Sequence, residues 1–292
     1  MVSLAVAPWL MRAWRFPLTR IVVALAFVMV PAAGASVALQ KLVADKSIRN
    51  LLIILVVGIV IASYFAYVKW VEKRAVIELS ARGAIGETIL GLLIGALLFS
   101  ATIGILALAG VYQVTGINSW QAMWATIPLF IFAGVMEEIL IRGVVFRILE
   151  EWLGSWIALA VSALIFGALH LPNDGATLIN TAALSLEAGV MLAAAYMVTR
   201  RLWLPIGIHI AWNFTQGGIF SVAVSGNEMK GLLNAKLVGE EWLTGGKFGA
   251  EASVVAVLLC VLAGIYFVWR AQRSGNVMQP AWRRNSHSQE TS

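Results

Sequence analysis

The sequence predicts an all-α, polytopic membrane helix bundle of about eight transmembrane helices. Of the 292 residues, 60% are hydrophobic and only 12% are charged, and long apolar runs recur from residue 21 to residue 269 with short polar breaks. Soluble domains carry roughly 45 to 50% apolar and about 25% charged residues, so this is a membrane composition. A helix rising about 1.5 Å per residue needs roughly 20 apolar residues to cross the hydrocarbon core. Eight runs meet or approach that length: residues 21–39, 51–68, 88–111, 124–148, 155–171, 176–198, 203–224 and 252–269. The fifth is short and the fourth carries charges, so these two fit the template least well.

The first run follows Arg12, Arg15 and Arg20 and ends near Ala33-Gly34-Ala35, a pattern shared with secretory signal peptides. Its apolar stretch continues to Leu39, long enough to span, so it is expected to be retained as the first helix. With the N-terminus in the cytoplasm, 15 of the 21 Lys and Arg residues fall on the inner side and 6 on the outer side. The positive-inside rule then places both termini in the cytoplasm, in the plasma (inner) membrane if the source is bacterial. Lys41, Lys46 and Arg49, in the first outer loop, run against that pattern.

Residues 1–272 read as one continuous transmembrane bundle, and 273–292 as a disordered polar tail with Arg273, Arg283 and Arg284 near anionic head groups. The net charge of +6 is scattered between apolar runs, so no nucleic-acid partner is expected. Cys260 is the only cysteine, which excludes an intramolecular disulfide. The twelve Trp residues fall mostly near the ends of runs, as an interfacial belt requires. No internal repeat is evident.

A charged side chain at the bilayer centre costs about 2.5 to 3.5 kcal/mol even on the gentler insertion scale, so ionisable groups inside the runs point to function. The fourth run holds Glu137, Glu138 and Arg142. Glu138 and Arg142 stand four apart and share one helix face, where they can pair. Glu137 is rotated by about 100° from Glu138 and has no partner on its own helix. An unpaired carboxylate in apolar surroundings has the profile of a general base; the alternative is that both glutamates mark the cytoplasmic end of the helix and reach toward water. Two of the three histidines also lie in apolar runs: His170 closes Phe166-Gly167-Ala168-Leu169-His170, and His209 stands four before Asn213, on the same face. Glu187 and Asn180, in the sixth run, face the same burial cost, and Glu187 either lines a cavity or pairs with a polar neighbour.

The ordered set Glu-Glu-x-x-x-Arg, Phe-x-x-x-His and His-x-x-x-Asn resembles the CAAX-protease and bacteriocin-processing (CPBP, or Abi) family, which includes the Rce1-type prenyl-protein proteases. The motifs run from Glu137 to Asn213, and the resemblance implies a catalytic core over about residues 88–225. It implies an intramembrane endopeptidase in which Glu137, assisted by His170, activates the attacking water. His209 and Asn213 would then stabilise the oxyanion of the tetrahedral intermediate, with Glu138 and Arg142 as structural support. The implied partners are membrane lipid and a membrane-bound protein or peptide substrate, and a homo-oligomer is compatible with the reading.

Two histidines and a glutamate also make a candidate Zn²⁺ site, Glu137, His170 and His209, with an open fourth position. The metal-free glutamate mechanism is favoured, because there is no His-Glu-x-x-His helix and Asn213 suits an oxyanion better than zinc. No Gly-x-Ser-x-Gly or Gly-x-Gly-Asp motif is present either, which removes the rhomboid-like and presenilin-like routes. Two other readings use the same polar residues: a proton-linked transporter with a Glu and His relay, and a catalytically silent scaffold or bacteriocin-immunity protein of the same fold.

Overall fold

The computed structural model describes residues 16–287; Arg12 and Arg15 of the proposed topogenic cluster lie outside the described residues. Helix α1 (Pro17–Leu42) starts with proline in its first turn, where the missing N–H has no intrahelical partner to lose. Asp45 then caps α2 (Lys46–Ala66), its carboxylate accepting from the Ser47 and Ile48 amides at 2.8 and 2.9 Å. Helix α3 (Ala84–Leu108) completes the N-terminal part of the bundle.

The chain then makes strand β1 (Tyr112–Ile117), a short turn of helix α4 (Trp120–Trp124) and α5 (Ile127–Glu138). A π-helical stretch, Ile139–Phe146, runs from α5 into α6 (Arg147–Ala168). Helix α7 (Leu178–Leu184) passes through another π stretch, Ser185–Val190, into α8 (Met191–Thr199), and α9 (Trp203–Asn213) ends in a further one, Phe214–Ile219; Tyr67–Val71, at the end of α2, is also π-helical. Strand β2 (Leu233–Leu237), α10 (Glu241–Thr244), α11 (Val254–Arg273) and α12 (Ala281–His287) follow. The molecule is therefore the expected helical membrane bundle.

Among the described residues five helical segments are long and apolar enough to cross a membrane: Pro17–Leu42, Lys46–Val71, Ala84–Leu108, Leu178–Thr199 and Val254–Arg273. The fourth and fifth predicted runs are joined through Gly154, whose φ of 79° breaks the helix. The seventh run stops at Ile219 and not at residue 224, and the eighth starts at Val254.

Two features lie outside the all-helical expectation. Strands β1 and β2 form an antiparallel ribbon, Tyr112 opposite Leu237 and Ile117 opposite Leu233, with a bulge between Val114 and Gly116. The tail expected to be disordered from residue 273 is docked in its described part. The Met278 amide donates to Ser155 Oγ at 2.8 Å, the Ser155 amide returns a bond to the Met278 carbonyl at 3.0 Å, and Asn276 Nδ2 donates to the Val198 carbonyl at 2.9 Å. The break at Gly154 creates that dock, since a Cβ there would stand 2.8 Å from the Pro280 nitrogen. Composition sees a polar tail; it does not see the buried backbone groups that the tail satisfies.

Helices α3 and α9 approach closely because glycine lines the contact. A Cβ on Gly91 would come within 2.9 Å of Gly207 Cα, and one on Gly95 within 3.0 Å of the Trp212 amide nitrogen. Small residues spaced by four let backbones meet in this way in a membrane, where van der Waals packing replaces the hydrophobic drive. At one end of the bundle, Glu72 accepts from Arg20 at 2.7 Å, Arg74 at 2.8 Å and Arg147 at 2.9 Å, tying α1 and α6 to the turn after α2. Burial of Glu72 opposes its ionisation, but the three guanidiniums, Arg147 foremost, overcome it and lower its pKa to about 2.

A carboxylate whose pKa is depressed on folding adds stability that is fully present above its unfolded value and is lost as pH falls through its folded value. Thermal unfolding in detergent micelles should therefore show a Glu72 contribution that is constant above about pH 5 and fades from about pH 4.5 toward pH 2. Glu72→Gln should lower stability at pH 7 by on the order of 2 to 4 kcal/mol and flatten that acid limb. Gly95→Val should force α3 from α9 and lower the unfolding temperature by several degrees, whereas Gly104→Val, where a Cβ meets nothing within 4 Å, should not.

Candidate active site

The segment Met136-Glu137-Glu138 ends α5, and Arg142 follows in the π stretch. Arg142 is wholly buried and its Nη1 donates to Glu138 Oε1 at 2.7 Å. Its Nη2 donates to the Ala188 and Gly189 carbonyls at 2.9 and 3.1 Å, and the guanidinium lies over the Phe166 ring at 4.7 Å. A buried cation needs such compensation, and this one joins three elements in obtaining it at both Nη atoms and its π face, while Nε is buried without a partner. The expected i,i+4 pair is present, and its partners extend to the backbone of the Ser185–Val190 stretch.

Glu138 Oε1 accepts a second bond, from His209 Nδ1 at 2.9 Å. The Glu138–Arg142 unit therefore orients an imidazole on α9 as well as the helix face that presents Glu137. Sequence spacing did not reveal this link, because it joins residues 71 positions apart. The side chain of His170, at the end of α6, is fixed by its own helix, with Nδ1 bonded to the Phe166 carbonyl at 2.8 Å. Phe166 packs against both imidazoles, 4.9 Å from His170 and 6.2 Å from His209 between ring centres. It forms the apolar wall common to Arg142 and the two histidines.

With each Nδ1 engaged, both Nε2 atoms face Glu137. His209 Nε2 lies 3.8 Å and His170 Nε2 3.9 Å from the same Glu137 oxygen, Oε2, which is buried and has no hydrogen-bond partner. These separations exceed a direct hydrogen bond and match a single polar molecule shared between three groups. Asn213, one turn beyond His209 and buried, lines the same cavity of about 400 Å³ as Glu137, His170 and His209. The structure thus brings all four predicted residues to one place, from α5, α6 and α9.

Fourteen residues from Ser155 to Ala168 rise only about 20 Å, short of a hydrocarbon core of about 30 Å. The loop after α6 is covered by the connection between α9 and α11. Asn173 Nδ2 donates to the Ser225 carbonyl at 2.9 Å, and the Gly226 amide donates to the Phe248 carbonyl at 2.7 Å. Gly175, at φ 69°, passes so close to Lys247 that a Cβ would stand 2.6 Å from its neighbour's. Irregular backbone at membrane depth is tolerated under such protein cover.

The same cavity includes polar residues outside the motif set: Glu187, Glu251, Ser225, Asn227 and Asn173. Glu187 was visible as an ionisable group in an apolar run. Glu251 and Ser225 were not, since they lie in the polar stretch before α11 and reach the site only through tertiary folding. The zinc alternative would use Glu137, His170 and His209, whose Nε2 to Oε2 separations are 3.9 Å for His170 and 3.8 Å for His209. A tetrahedral ion with ligand bonds of about 2.0 to 2.2 Å brings its donor atoms to roughly 3.4 Å of one another. Among the described residues no group of three His, Cys, Asp or Glu side chains is placed to hold an ion.

No curated protein and no solved structure matches the chain. A family model does match: type II CAAX prenyl endopeptidase Rce1-like, over residues 118–215, about a third of the sequence. That stretch contains Glu137, Glu138, Arg142, His170, His209 and Asn213, so the part of this membrane protein that assembles the polar site is similar to the Rce1-like CAAX prenyl endopeptidases.

Proposed function

We propose that the chain is an intramembrane endopeptidase that hydrolyses a peptide bond of a membrane-associated protein or peptide by glutamate-activated water. The observation that carries the reading is the convergence of His170 Nε2 and His209 Nε2 on the unpartnered Oε2 of Glu137 inside the cavity. A water held by Glu137 and His170 would give up its proton to Glu137 as its oxygen attacks the scissile carbonyl carbon. The proton then passes to the leaving amine as the tetrahedral intermediate collapses.

The oxyanion of that intermediate requires donors, which Asn213 Nδ2 supplies directly. His209 supplies one from Nε2 only when Nδ1 also carries a proton, because Nδ1 faces the Glu138 carboxylate. The working form of His209 is therefore the imidazolium, balanced by Glu138 and Glu137, with Arg142 balancing the second charge of the pair. Glu138 is then a positioning residue that acts through His209. A prenylated C-terminal peptide is one substrate class to include in the tests, since the family model's name carries that activity.

Purified full-length protein in micelles, assayed against a peptide library with no ion gradient, should cleave at defined bonds. Glu137→Gln should reduce cleavage by about 10²- to 10⁴-fold, the contribution expected of a general base. Equal cleavage by the variant would remove the glutamate mechanism, and a chelator that abolishes wild-type activity would replace it with metal catalysis. His209→Ala and Asn213→Ala should each lower kcat by about 10²-fold or more, as loss of an oxyanion donor does. Glu138→Gln should lower kcat by about 10-fold or more with KM within a few-fold, since it disturbs His209 and leaves substrate contacts in place.

A further inference from the structure

The cavity that holds Glu137 is lined by three more carboxylates, Glu187, Glu228 and Glu251, and by no Lys or Arg. Glu187 and Glu251 are almost fully buried. Glu187 Oε1 accepts from the Cys260 thiol at 3.7 Å, the carboxylate also meets the Ala188 backbone, and its Oε2 is buried with no hydrogen-bond partner. Glu251 Oε1 accepts from the amide and the hydroxyl of Ser225, at 2.9 and 2.8 Å. Both carboxylates line the one cavity. Arg142, the cation that also acts on Glu187, directs both Nη atoms elsewhere, to Glu138 and to the Ala188 and Gly189 carbonyls.

Nothing in the glutamate mechanism uses this pair. Buried carboxylates with so little direct pairing are expensive to ionise, and a cation brought in among apolar walls such as Met191, Leu192 and Trp212 would favour their charged form. A hard inorganic cation prefers six or more oxygen ligands, which a thiol and such walls do not offer. A guanidinium or ammonium on a flexible chain suits the site better: it donates two or three hydrogen bonds to carboxylates while its methylene stem lies along apolar surface. We propose that Glu187 and Glu251 form a subsite for a Lys or Arg side chain of the substrate, close in sequence to the bond that is cut.

This proposal rests on the endopeptidase reading, and its test separates the two. Internally quenched peptides that differ only by Lys, Arg, norleucine or Asp, scanned through three positions on either side of the cut, would be offered to the full-length protein in micelles. At one position Lys or Arg should exceed norleucine in kcat/KM by at least about 10-fold, the scale of one desolvated charge contact. In Glu187→Gln that ratio should fall to within about 3-fold, with Glu251→Gln as a second variant if the first does not fold. A wild-type series with no position favouring Lys or Arg, or a preference that survives both substitutions, overturns the subsite.

Binding gives a readout independent of turnover. Fluorescein-labelled decapeptides with a central Lys or norleucine, titrated into Glu137→Gln, should differ by about 10-fold in affinity, and adding Glu187→Gln should equalise them. If the wild type cleaves no peptide at all, the endopeptidase reading fails and binding alone decides: a Lys preference lost with Glu187 supports the subsite, and equal affinities overturn it.

Discussion

A guanidinium buried within a membrane protein must be satisfied by its neighbours, and the solution found for Arg142 organises the site. Its two Nη atoms and its π face bring together the end of α5, the Ser185–Val190 stretch and Phe166 of α6. Glu138, held by that cation, then offers the same oxygen to His209 on α9. The constraint on a single charge thus places groups from four parts of the chain. Glu137, adjacent in sequence and rotated away, is left free to face the imidazoles because its neighbour has taken the structural pairing.

The π-helical stretches belong to the same account. Three of them lie where a polar group is aimed inward: Ile139–Phe146 carries Arg142, Ser185–Val190 carries Glu187, and Phe214–Ile219 directly follows Asn213. A π bulge shifts the register of the residues beyond it and leaves carbonyls without regular intrahelical donors. Arg142 uses two such carbonyls, those of Ala188 and Gly189. Lipid offers no substitute for those bonds, so helical irregularity and buried charge support each other here.

The connection between α9 and α11 has a comparable role on the other side of the site. It covers the loop after His170, supplies Ser225 and Glu251 to the cavity, and includes the strand that pairs with β1. The loop after the short α6 is thus covered by protein, through the bond from Asn173 to the Ser225 carbonyl. Docking of the tail at Gly154 stabilises the opposite end of the same helix, through Ser155 and Met278.

Composition and run length were enough to read the helical membrane bundle, because the cost of exposing backbone to lipid leaves little choice of secondary structure. Motif spacing was enough to read the candidate residues, since an ionisable group in an apolar run carries a penalty that random sequence avoids. The Glu138–Arg142 pair was legible for the further reason that a helix face is a local property. The contact of Glu138 with His209, the central place of Phe166, the entry of Glu251 and Ser225, and the docked tail were not legible. They depend on distances between segments far apart in the chain, and periodicity carries no information about which helix faces meet. The sequence determined that polar groups would be buried and on which helices; the tertiary structure alone decided which of them share a cavity, because glycine contacts and the pairing of Arg142 set how those helices pack.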